Sequence, residues 1–178
     1  EMLEDYLKTE EVPANYRTSI ESWINDLRSL AEAKTLSSVR LDEARKLLWP
    51  LTTQATIDEE ERHLVTTLRA TSVLHELLQS LPTDDERRQG TYLLGRAYFH
   101  VPMSIFEPFV DQYLELAIRE FPHTTEAQFA LRLYEYRLQN GLGVSSGELA
   151  PDQLKLLIQL RKLAAPDHEL ILQGLGER

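Results

Sequence analysis

Apolar residues recur along most of this chain at intervals of three and four, the spacing that lines one face of an α-helix. Ile20, Trp23, Ile24, Leu27, Leu30 and Ala31 form such a stripe and predict a helix from about Asn15 to Lys34. A short amphipathic piece, Met2–Thr9, precedes it and ends near Pro13. Val39, Leu41, Ala44, Leu47 and Leu48 form a third stripe behind Ser37 or Ser38 as cap, and Pro50 stops it within a turn. The longest stripe holds Leu64, Val65, Leu68, Thr71, Val73, Leu74, Leu77 and Leu78, and predicts one helix over 58–80. Thr56 or Asp58 starts it, with acid in the first turn where the helix dipole favours negative charge.

Thr83 caps the next acid-rich start, Asp84-Asp85-Glu86, of a helix running to about His100. Its neighbour spans about Ser104 to Phe121, and Thr124 or Thr125 caps another from Glu126 to Asn140. The inward residues of that helix are Ala127, Ala130, Leu131, Leu133 (or Tyr134) and Leu138. Gly141 to Gly147 carries three of the seven glycines and reads as a linker. Pro151 suits the first position of a final helix to about Ala164, and Pro166 opens a short tail. Strand-like alternation is not evident, so the fold class is all-α.

The charge narrows the list of partners. With 19 basic against 29 acidic residues the net charge is −10, which argues against nucleic acid and against docking on an anionic membrane. Cysteine is absent, so thiolate metal sites, disulfides and cysteine nucleophiles are excluded. No apolar run approaches the roughly 20 residues of a membrane span. The chain opens on Glu1-Met2 inside a helical pattern, so an excised fragment with a leader or anchor upstream is one reading.

Residues 91–127 carry the strongest pattern: Leu94-Gly95 and Tyr98 on one helix, then Val110, Leu114, Ala117 and Pro122 on and after the next. In this spacing the stretch resembles one tetratricopeptide (TPR) repeat, a pair of antiparallel helices that buries its apolar face by stacking on neighbours. It departs from that pattern at Thr91, where a large apolar residue is usual, and in a longer turn holding Val101-Pro102 and Phe106-Glu107-Pro108. In the following unit Arg132 and Glu135 fall at the places of the small residue and the aromatic. The resemblance implies a short stack of helix pairs over 57–140, capped by helices in 1–56 and followed by a linker at 141–150. The helix and tail of 151–178 would complete the last pair. Arg119–Ala127 is also similar to the repeats of bacterial envelope proteins, which implies a periplasmic or membrane-anchored setting, with the cytoplasm as the alternative.

Candidate chemistry is thin. Glu60-x-x-His63 has the spacing of half a di-metal site, but its only other copy, Glu120 to His123, is broken by Pro122. The expected reading is a solvated helix start with an exposed histidine. His75, His100 and His168 have no cooperating group nearby in sequence, and the glycine run lacks the lysine of a phosphate loop. No catalytic, cofactor or metal residue is therefore assigned.

The dense aromatics suggest a protein or peptide surface instead. Tyr92 and Phe99, with Arg88 and Arg96, mark a groove on one helix. Arg132 and Tyr136, with Tyr134 and Arg137, mark a second on the next. The expected role is a non-enzymatic adaptor. Self-association of the terminal helices, in a larger membrane-anchored protein, is the alternative.

Overall fold

The computed structural model describes residues 3, 7–8, 12–32, 40–51, 55–102, 106–140 and 149–166, and among these the only regular structure is helical. Eight helices have both ends among the described residues: α1 (Ala14–Glu32), α2 (Arg40–Leu48), α3 (Ile57–Arg62), α4 (Leu64–Gln79), α5 (Asp84–Phe99), α6 (Glu107–Glu120), α7 (Thr125–Asn140) and α8 (Pro151–Ala164). The piece at Met2–Thr9, the cap at Ser37 or Ser38, the linker 141–147 and the tail from 167 lie outside the described residues, wholly or mostly.

Local chemistry sets the helix starts. Thr56 and Thr83 each accept from the backbone N–H three residues on, and Glu59 and Glu86 reach back to the threonine N–H. Each box satisfies two orphan donors of a first turn. These bonds hold both carboxyls below the usual glutamate range. Thr124 Oγ1 likewise accepts from Ala127 N–H at 3.2 Å, and Pro151 opens α8.

The long helix expected over 58–80 is in fact two, divided at His63. The cause lies in α1: Ser22 Oγ donates to the Arg62 carbonyl at 3.1 Å, and the Trp23 indole donates to the Glu61 carbonyl. Carbonyls claimed from outside loosen the internal ladder, and His63 between the two helices leaves helical backbone (φ −95°, ψ 10°). The expected α1 stripe is covered only in part. Ile20 is buried, but Leu27 is exposed; among the described residues α1 packs on α3 and α4.

Helices touch their near neighbours in sequence. α4 packs on α2 and α5, α6 on α5 and α7, and α8 on α7 and α6. Helices two and three apart also meet, since α5 packs against both α7 and α2. The core runs through these contacts from Ala44 and Leu48 to Leu160 and Ala164. Gly95 fixes the closest of them. A Cβ built there would stand 2.8 Å from Leu114 Cδ2 and 3.1 Å from the Leu114 backbone nitrogen, so α5 and α6 approach backbone to backbone.

Two non-glycine residues adopt left-handed backbone: Leu81 (φ 55°), after α4, and His123 (φ 65°), between α6 and α7. His123 is tied to the far end of α8. Its N–H donates to the Leu163 carbonyl at 2.8 Å, and its Nδ1 lies 2.6 Å from the Ala165 carbonyl oxygen.

A candidate partner surface on three parallel rows

The outward side of α5 lies between α2 and α7, and side chains pair across both seams. Toward α7, Arg88 Nε stands 3.0 Å from Glu126 Oε2. The Tyr92 and Phe129 rings lie 5.9 Å apart, and the Phe99 and Tyr136 rings meet edge to face at 5.9 Å. Toward α2, the Arg45 guanidinium donates to Gln89 Oε1. Arg96 donates to the carbonyls of Leu51 at 2.7 Å and Leu48 at 3.3 Å, satisfying acceptors left over at the α2 C-terminus.

The predicted residues thus have different duties. Arg88 is held between Asp85 and Glu126, and Arg96 is spent on backbone carbonyls, so both chiefly brace the helix row. Tyr92 and Phe99 are half-buried, with their partners on α7 lying further out. Burial raises the Tyr92 phenol above its usual range, partly offset by Arg96. Arg132 lies with its guanidinium carbon 5.5 Å from the Phe129 ring centre, and Tyr136 is 39% exposed. Of the second group, Tyr134 is buried in the core and Arg137 pairs with Asp111 on α6, so neither belongs to this surface.

Three residues were missed by sequence reasoning. Phe129, 41% exposed, sits at the centre of the α7 row, and Trp49, 83% exposed, follows α2. Arg45 joins Gln89, Tyr92, Leu93, Glu126 and Phe129 around a cleft of about 190 Å³. The signal was present: Phe129, Arg132 and Tyr136 are spaced three and four apart, outside the stripe that packs inward.

Histidines expected to lack partners have them. His100 is fully buried at the end of α5, with Nδ1 3.0 Å from Glu60 Oε1 and Nε2 without a hydrogen-bond partner. Glu60 is therefore not at a solvated helix start; its imidazole partner lies forty positions on, not at His63. His75 Nε2 lies 2.8 Å from the Tyr98 hydroxyl, edge-on to Tyr98 and Tyr113, and burial lowers its pKa. Tyr98 in turn stacks on Phe106, Phe109 and Tyr113. Arg87 and Arg161 are exposed, and lie 5.4 Å from the Phe121 ring centre and 2.7 Å from Glu135 respectively.

Among the described residues no group of three or more His, Cys, Asp or Glu is placed to hold a metal, and no helix is long and apolar enough to cross a membrane. No protein-family model matches the chain, and no curated protein or solved structure is significantly similar to it.

Proposed function

We propose that the chain is an adaptor: a short TPR-like stack whose outward row of α2, α5 and α7 docks a protein or peptide partner, with no catalytic step of its own. The observation that carries this reading is the ladder across the row, where Tyr92–Phe129 and Phe99–Tyr136 present aromatic edges on a rigid base. Large amphipathic rings are the side chains that most often anchor protein interfaces.

Two regularities support the stacked arrangement. Among the described residues, the helix contacts that stand out join helices no more than three apart in sequence, as in a repeat array. The row helices also share one inward spacing: Leu41, Ala44, Leu48 on α2; Thr91, Leu94, Tyr98 on α5; Ala127, Ala130, Tyr134 on α7. On this spacing Tyr134, not Glu135, is the counterpart of Tyr98, and α2 is the first member of the row rather than part of a cap. The wording of Arg119–Ala127 favours a bacterial extracytoplasmic setting, and the acidic surface disfavours nucleic acid and membrane as partners.

The test is capture of partners by the tagged protein, with Phe129→Ala and Tyr136→Ala beside Phe109→Ala, which is exposed elsewhere. Loss in the first two alone is expected. Partners kept by all three variants would remove this surface from consideration.

A second reading has its own support. α8 exposes Leu154 and Ile158, beside a cleft of about 360 Å³ partly walled by Leu138, Leu149 and Leu157. An apolar outer face on a terminal helix suits pairing between copies. Sedimentation equilibrium of the wild type and of Leu154→Glu decides it: a dimer broken by the substitution is the outcome this reading requires.

A further inference from the structure

The charges on the α2–α5–α7 row are not balanced in the way the rest of the molecule is. The chain as a whole is acidic, at −10. On the row, most carboxylates are answered by an arginine: Asp42 by Arg45 at 2.7 Å, and Asp85 and Glu126 by the one Arg88, at 3.0 Å for Glu126, while Glu86 closes the capping box with Thr83 and has no arginine. The converse does not hold. Arg132 touches only the Phe129 ring, Arg96 only backbone carbonyls, and Lys46 on α2 is exposed; among the described residues none of the three has a carboxylate partner. Among the described residues, three cations of the row thus lack a carboxylate, against one carboxylate, Glu86, that lacks an arginine, on a molecule whose net charge is negative.

The apolar part of the row has a matching geometry. Between α2, α5 and α7 the cleft of about 190 Å³ is floored by Leu93 and walled by Tyr92 and Phe129. Its rim carries the guanidinium of Arg45 and the amide of Gln89, groups able to bond a peptide backbone, and the carboxylate of Glu126, whose charge is met by Arg88 at 3.0 Å. Arg132 does not line this cleft, but its guanidinium carbon lies 5.5 Å from the centre of the Phe129 ring that does.

We infer that the occupant is an acidic peptide segment, in which a large apolar side chain enters the Tyr92–Phe129 cleft and an adjacent carboxylate reaches Arg132. The inference rests on the adaptor reading above and adds the chemistry of the partner. A guanidinium already lying on an aromatic ring is preorganised, so less side-chain entropy is lost when it pairs. Attraction of the segment to the row would weaken with salt, as exposed charges are screened.

Three short fluorescein-labelled peptides test this by anisotropy: one alternating Glu with Leu and Phe, one with Lys in place of each Glu, and one with Ser in place of each apolar residue. The full chain is compared with Arg132→Glu, Phe129→Ser and Arg119→Glu, the last an exposed arginine on α6. All three positions are exposed, and circular dichroism checks that each variant is folded. The expected result is binding of the Glu-Leu/Phe peptide alone, about tenfold weaker with Arg132→Glu or Phe129→Ser and unchanged with Arg119→Glu. Equal binding of the Lys peptide, or indifference to Arg132→Glu with loss at Phe129→Ser, overturns the acidic partner and leaves the surface standing. Binding that ignores both substitutions overturns the surface as well. Failure of all three peptides to bind overturns the inference, while the adaptor reading is still judged by the capture experiment.

Discussion

At the scale of single residues, small differences in what surrounds a side chain decide large differences in outcome. Gly95 and Gly90 are both buried on α5, yet alanine should act differently at each. At Gly95 the added methyl meets backbone of α6, which cannot step aside, and a cost of about 1–3 kcal/mol is expected in urea unfolding. At Gly90 it meets only the ends of Leu77 and Leu78 side chains at 3.3 Å, so strain is offset by the roughly 1 kcal/mol that alanine gains over glycine in a helix. The midpoint for Gly90→Ala should stay close to wild type. Glu60→Ala would strand the Nδ1 of a fully buried His100, and a loss of about 1–3 kcal/mol in thermal or urea melts is expected. His75 gives a pH dependence. Burial lowers its folded pKa below 6.5, so the unfolded chain takes up the proton first. Its contribution is complete above about pH 6.5 and is lost as pH falls through that value toward the folded pKa. Between pH 7.5 and 5.5 (on the order of the histidine range), His75→Gln should flatten the decline in the urea midpoint. An equal slope in both proteins would count against this account.

Helix ends are where the sequence is most readable, because their determinants are local. Thr83 with Glu86, Thr56 with Glu59 and Pro151 mark starts that the structure places within a residue or two. Thr83→Ala is expected to lower stability by about 1 kcal/mol, with the change in thermal midpoint as the check. The break at His63 was not legible. It depends on Ser22 and Trp23 of another helix, and no local pattern near residue 63 announces them. The same reason hid the partner of His100, which a helix far away in sequence supplies. The surface was partly legible. Tyr92 and Phe99 could be placed outward from their spacing, but which neighbour would cover Tyr134 and leave Phe129 open depended on the packing of α7 against α5.

For the whole molecule, if stability is assembled piece by piece, as the proposed stack requires, removing an end should leave the rest folded. Deleting residues 149–178 would expose Leu138, which shares a cleft with Leu154 and Leu157, and lower the thermal midpoint, yet leave α1–α7 helical by circular dichroism. Global unfolding of the shortened chain would point instead to one indivisible core. The corner at His123 extends this logic to how the last helix is seated. Since that residue clasps α8 at its exit, the register of α8 does not hang on the length of chain that leads into it. Foreign sequence spliced between Asn140 and Leu149 should therefore be tolerated, which makes this junction a natural place for a reporter or for new termini by circular permutation.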